Sequence, residues 1–197
     1  KVKPVLHSVS KKNRSSIKNQ TPFCLWITGL PSSGKSTIAC ALEEKLFENY
    51  LHTYHLDGDN LRHKLNKDLN FNKEDRDENI RRISEIAYLF NEAGIITIVS
   101  VISPLKSQKE LARNIIGENF IEVYLATPLN ICIERDPKGH YKKAIQGDIS
   151  NYTGISSPYQ ESDSPEIKID TSKKNIGDCV TDILKYCSRN NLINTRS

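Results

Sequence analysis

Residues 29–36, Gly-Leu-Pro-Ser-Ser-Gly-Lys-Ser, fit the spacing G-x-x-x-x-G-K-[ST]. Each residue type has a task in holding a polyphosphate. Gly29 and Gly34 let the backbone wrap with its N–H groups turned inward. Lys35 supplies a point charge to the β and γ phosphates, and the Ser36 hydroxyl is a short ligand for Mg²⁺. Ser32, Ser33 and Thr37 complete the stretch expected to contact the nucleotide. The pattern lies between an apolar run at residues 23–28 and a helical periodicity at 36–49, whose positive end would face the same anion. The chemistry this implies is phosphoryl transfer from Mg-ATP.

A second constellation follows residues 53–56, a short strand-like run. Asp57-Gly58-Asp59-Asn60 would put two carboxylates at the carboxyl end of a strand, where open α/β sheets bind ligands. One suits a water of the metal shell. The other suits the proton of an acceptor hydroxyl. A plain turn is the alternative, since Asp-Gly and Asp-Asn both favour turns. Beyond them come Arg62, Phe71, Arg76, Asn79, Arg81 and Arg82. Arg76 and Asn79 are three apart on a predicted helix and share a face. Arginine forks there would suit an anion. The alternative is a surface helix whose arginines pair with Asp75, Asp77, Glu78 and Glu85.

These groups need a scaffold, and alternation along the chain predicts one. Strands at 23–28, 53–56, 95–101, 120–125 and 166–169 alternate with helices at 36–49, 73–93, 108–116, 129–135 and 176–190. Asn72 would cap the second helix and Gly94 end it. The β-branched run at 95–101 suits a strand buried on both faces. The expected fold is therefore α/β: a P-loop NTPase fold with a five-stranded parallel sheet flanked by helices. Residues 136–160 are polar and rich in Gly and Pro, and read as a mobile lid with a short helix near 141–146.

The chain has 197 residues, 37% hydrophobic and 26% charged, which suits one domain. Residues 1–20 carry Lys1, Lys3, Lys11, Lys12, Arg14 and Lys18 without an acid, so the net +4 belongs to this arm. We read residues 1–20 as a solvated basic arm and 21–197 as a single kinase domain. No aromatic residue interleaves the basic ones, so nucleic acid is not expected as a partner. No apolar run is long enough for a bilayer, so no membrane is expected either. Five widely spaced cysteines without a C-x-x-C pair suit reduced thiols in the cytoplasm. A chain that begins at Lys1 and lacks methionine reads as a fragment. The patterns at 72–75 (N-K-x-D) and 136–139 (D-x-x-G) would suit a GTPase, but neither follows a strand, which excludes that reading.

Longer motifs carry a resemblance. Asp57-Gly-Asp-Asn-Leu-Arg-His63, Lys67-Asp-Leu-Asn-Phe71, Glu74-Asp-Arg-Asp-Glu-Asn-Ile-Arg-Arg82, Ile102-Ser-Pro104, Arg135-Asp-Pro-Lys-Gly-His-Tyr-Lys-Lys143, Tyr152-Thr-Gly-Ile155 and Pro165-Glu166 resemble the adenylyl-sulfate kinase family, in its order, from about residue 23 to the last helix. The resemblance implies transfer of the ATP γ-phosphoryl group to the 3′-hydroxyl of adenosine 5′-phosphosulfate, and a homodimer. Carried over by position, Asp59, Asn60 and Arg62 would contact the acceptor. Phe71 and Tyr152 would sandwich its adenine, and Arg76 and Asn79 would hold the phosphosulfate. Ile102 and Ser103 would line the pocket, and Lys138 would reach in from the lid. We assign Ser36 and Asp57 to the metal and Lys35 and Asp59 to the chemistry, although the pattern alone does not divide the two carboxylates between these tasks. Ser103 matches a serine described in the family as a phosphoserine intermediate. Direct in-line transfer needs no enzyme nucleophile, so as a residue it reads as a pocket-lining serine at a strand end. The sequence departs from the family at Tyr152 (usually Phe), Lys106 and Ile145 (usually Arg), Val101 (usually Phe) and Ser84 (usually Gly). Another small-metabolite kinase and a weak nucleotide-binding module are the competing readings.

Overall fold

The computed structural model describes residues 3, 5 and 7–193. Lys1 of the basic arm lies outside the described residues. Five strands form one all-parallel sheet: β1 Cys24–Gly29, β2 Thr53–Asp57, β3 Ile96–Ser100, β4 Phe120–Leu125 and β5 Ile167–Ile169, in the order β2-β3-β1-β4-β5. β1, β3 and β4 are buried along their whole length, as strands covered on both faces must be. On one face the apolar side chains of α2 (Lys35–Glu48) and α8 (Ile176–Arg189) pack over Leu25, Ile27, Ile98 and Val123. On the other, α4 (Lys73–Glu92) and α5 (Lys106–Ile116) cover Trp26, Leu56, Val99 and Phe120. Among the described residues no helix is long and apolar enough to cross a membrane.

Asn72 caps α4 through Asn72 Oδ1, which accepts from the Asp75 N–H. Gly94 follows the helix with φ +80°. Two helices escaped the sequence reading. Gly58–His63 forms a short α3, where a turn was the alternative; the Asp57 side chain caps it. Lys11–Lys18 of the basic arm forms α1, capped by Ser10 and lacking any buried residue. Its periodicity is silent because it docks through polar contacts. The Arg14 guanidinium donates to Glu92 O at 3.2 Å, and Gln20 bridges His52 and Gly94. A Cβ on Gly94 would come within 3.1 Å of the Arg14 backbone, so the glycine that ends α4 also admits α1. Two further helices, α6 (Leu129–Arg135) and α7 (His140–Gln146), lead into the stretch read as a lid.

Candidate active site

The carboxyl ends of β1, β2 and β3 lie side by side, with Asp57 opposite Ser100 in the ladder. The phosphate loop leaves β1 at Gly29. There φ is +154°, and a Cβ would stand 2.8 Å from both Leu125 O and Ser33 Oγ. The first obstacle is backbone, so it does not yield by rotation. Gly29→Ala should therefore destabilise the fold by about 1–3 kcal/mol and weaken ATP binding. A thermal melt and an ATP titration that both match the parent would show that the loop accommodates the methyl group.

Gly34 opens α2 at φ +96° and Ser32 stands at φ +62°, so the loop turns through conformations that point successive N–H groups inward. Ser33 is buried, and its Oγ meets no partner among the described residues, leaving a donor for an oxygen anion in the loop. Lys35 lies across the loop and donates to Gly29 O at 3.0 Å and Leu30 O at 2.7 Å. Burial pushes its ammonium down to about 8, against the pull of Asp59 and Asp57. Thr37 follows on the exposed side of α2.

Ser36 Oγ donates to Asp57 Oδ2 at 2.7 Å, and Ser100 Oγ donates to the same oxygen at 2.8 Å. Asp57 Oδ1 is taken up by the N–H groups of Asp59 and Asn60. Burial alone would raise the Asp57 carboxyl, but the hydrogen bonds from Ser36, Ser100 and the Asn60 N–H hold it below its ordinary value. Asp59, one residue into α3, meets the lid, where Lys138 Nζ donates to Asp59 Oδ2 at 2.5 Å. The turn thus divides its two carboxylates, one toward the phosphate loop and one toward residues 136–160.

The arginines divide in the same way. Arg81 pairs with Glu78 and Glu85, and Arg82 with Asp68 and Glu78, as a salt-bridged surface would. Arg62 and Arg76 make no carboxylate pair among the described residues. Arg62 donates to Asn70 O and lies 4.5 Å from the Phe71 ring centroid. Burial lowers its pKa, and Arg76 nearby lowers it further. Asp59 and Asp75 act on Arg62 from a distance, but neither guanidinium is held in a carboxylate pair, and two adjacent ones favour an anion between them. Arg76 also ties the lid down, donating to Phe71 O, Thr153 Oγ1 and Asn151 O. Asn79 is buried, its Oδ1 accepting from Asn66 Nδ2 at 3.0 Å. Asn60 is exposed beside them, and Ile102 is partly exposed. Phe71 is exposed, and Tyr152 packs edge-on against Tyr141 at 5.0 Å.

Ser103 requires a correction. It is 2% exposed, accepts from Trp26 Nε1 at 3.1 Å and donates to Thr28 Oγ1 at 3.0 Å. Its one proton is directed into the sheet, so it is not presented as a catalytic nucleophile. It anchors the strand ends instead. Thr28 in turn donates to Ile102 O, and the Tyr159 hydroxyl completes the cluster.

Sequence reasoning missed the frame beneath the loop. Thr171 Oγ1 donates to Ser33 O at 3.0 Å, and Arg135 grips Thr171 through both its hydroxyl and its carbonyl. The Thr127 hydroxyl joins Thr171 at 2.7 Å, and Tyr141 OH donates to Pro31 O at 3.0 Å. The available signal was position: Thr127 and Thr171 each lie two residues past a strand end, on the ligand side of the sheet. Of the departures from the family pattern, Ile145 is exposed and Lys106 pairs with Asp163. Ser84 is buried and returns its hydroxyl to Ile80 O. Val101 packs where a Cβ on Gly58 would meet it at 3.0 Å.

A parallel sheet in this order, with a phosphate loop after β1 and carboxylates at the end of β2, defines a P-loop phosphotransferase. The family model described as adenylylsulphate kinase matches residues 21–170. Adenylyl-sulfate kinase of Clostridium acetobutylicum is 50% identical over 185 residues, covering 94% of this chain and 92% of the relative. That of Shewanella sp. (strain ANA-3) is also 50% identical, over 189 residues, covering 95% and 92%. The solved APS kinase CysC of Mycobacterium tuberculosis, in complex with AMPPNP and APS, superposes with a TM-score of 0.83 at 42% identity, covering 86% of this chain and 99% of that one. The chain belongs to the adenylylsulphate kinase family.

Proposed function

We infer that the protein transfers the γ-phosphoryl group of ATP to the 3′-hydroxyl of adenosine 5′-phosphosulfate, giving 3′-phosphoadenosine 5′-phosphosulfate and ADP. One observation carries the division of roles: Asp57 is bound to the phosphate loop through Ser36, while Asp59 faces the lid. In this reading Gly29, Ser32, Ser33, Gly34, Lys35, Ser36 and Thr37 hold ATP, as the inward-turned loop supports. Asp59 accepts the proton as the 3′-oxygen bonds to the γ phosphorus and the bond to the leaving ADP oxygen breaks. Asn60 and Arg62 orient the acceptor. Phe71 and Tyr152 take its adenine. Arg76 and Asn79 serve the phosphosulfate side, Ile102 forms the wall with Ser103 anchored behind it, and Lys138 closes from the lid. A closed lid keeps water from the γ phosphate.

The family's chemistry implies Mg²⁺. Among the described residues no cluster of three His, Cys, Asp or Glu could hold a metal by itself. That suits an ion bound by one or two protein oxygens, phosphates and water, and Ser36 Oγ and Asp57 Oδ2 are hard oxygens side by side at the loop. These two would hold it, and it would neutralise charge on the phosphates. We place the protein in the cytoplasm on its five unpaired cysteines, and propose a homodimer on the resemblance.

The test is ADP release with Mg-ATP and adenosine 5′-phosphosulfate, with AMP and shikimate as alternative acceptors. Turnover is expected only with the first. Equal ADP release without any acceptor would sink the assignment.

A further inference from the structure

Asp57 is held from behind by two residues that the mechanism does not use. His55 and Asp57 are two apart on β2 and share a face. Ser100 ends β3 opposite Asp57 in the ladder. Ser100 is 3% exposed, and the His55 side chain is 10% exposed. The Ser100 hydroxyl has one proton, and it goes to Asp57 Oδ2 at 2.8 Å. A hydroxyl that has donated can only accept from His55 Nε2, 2.7 Å away. Nε2 therefore carries the imidazole hydrogen, and Nδ1 is left as the acceptor toward Cys40 Sγ at 3.8 Å. A directed relay runs from α2 through β2 and β3 to the oxygen that Ser36 also contacts.

We propose that His55 and Ser100 are positioning residues that aim Asp57 Oδ2 at the metal side of the phosphate loop. Neither touches a reacting atom. With Oδ1 fixed by the start of α3 and Oδ2 fixed by Ser100, the carboxylate cannot rotate about its last bond. Without them Oδ2 keeps only Ser36, whose hydroxyl must also serve the metal. Outer partners of this kind set the affinity of a site by fixing the direction of its ligand. The inference rests on the reading of Asp57 as a metal-side residue.

The experiment is calorimetric titration of ATP into the whole chain, with Mg²⁺ and separately with EDTA. Ser100→Ala and His55→Leu are expected to weaken binding about tenfold in Mg²⁺ while leaving the affinity in EDTA unchanged. Ser100→Thr and His55→Gln retain a hydroxyl and an N–H at the same places and should restore the Mg²⁺ value. Equal losses in both buffers would reveal a merely structural role, and no loss in either would show that the relay is idle; both overturn the proposal. Asp57→Asn separates this inference from its premise. If that variant keeps the full Mg²⁺ dependence, the metal-side reading of Asp57 fails. If it loses that dependence while Ser100→Ala does not, only the relay fails. Should His55→Leu not fold by circular dichroism, the two Ser100 variants decide.

Discussion

Replacing Lys35 with alanine should lower kcat about 10²–10³-fold, the loss typical when one preorganised charge is removed from a transition state. The ammonium spans the loop between Gly29 O and Leu30 O, so its position is set before any phosphate arrives. Burial pushes it down to about 8, and a bound polyphosphate restores the charged form by direct attraction. The charge is thus most strongly held when the γ-phosphoryl group is present. Lys35→Arg keeps a charge but brings a planar fork into a space shaped for a point charge, and should recover activity only in part. Single-turnover measurement of ADP formation distinguishes loss of chemistry from slow product release. Near-native turnover in Lys35→Ala would remove the γ phosphate from this loop.

Asp59→Asn should lower kcat about 10²–10⁴-fold, the usual contribution of a positioned proton acceptor, with ATP binding almost unchanged. Asp59 stands on the first turn of α3, and the hydrogen-bond partner of Ser36 is Asp57, so the loss of Asp59 leaves the Ser36–Asp57 contact in place. The same substitution removes the partner of Lys138, whose ammonium Asp59 holds above its ordinary pKa by hydrogen bond and charge. Both side chains are largely exposed, so the fold should lose little. Lys138→Ala separates the two contributions. It removes the pair but leaves the carboxylate, so a much smaller loss of kcat is expected. If Asp59→Asn retained near-native rates, the proton acceptor would have to be sought elsewhere.

Strands β1, β3 and β4 were legible because each is a short apolar run between polar turns, and burial on both faces demands that composition; the edge strands β2 and β5 carry polar residues and were placed by alternation with the helices. Helix α4 was legible from its cap at Asn72 and its stop at Gly94. Helices α1 and α3 were not, because neither buries a residue and so neither leaves an apolar period. The phosphate loop was complete in the sequence, since all its working parts lie within eight consecutive residues. So were the two carboxylates after β2, although not their roles.

Those roles depend on residues far away in the chain. Asp57 meets the phosphate loop through Ser36, and Ser100 stands beside it because β3 lies next to β2 in the sheet. Asp59 meets Lys138 because residues 136–160 return to it, 79 residues on. Ser103 reads by its position as a serine ending a strand and as a nucleophile only through the resemblance, and Trp26 and Thr28 take up its hydroxyl. Arg76 and Arg82 look alike in sequence, and only the neighbouring elements decide which one finds a carboxylate. The sequence by itself determined the fold class, the donor loop and the set of groups available for chemistry, because local spacing and apolar period carry that information. The tertiary structure alone decided where each charge and each proton points, because a side chain's partner is set by which strands are neighbours, not by its place in the chain.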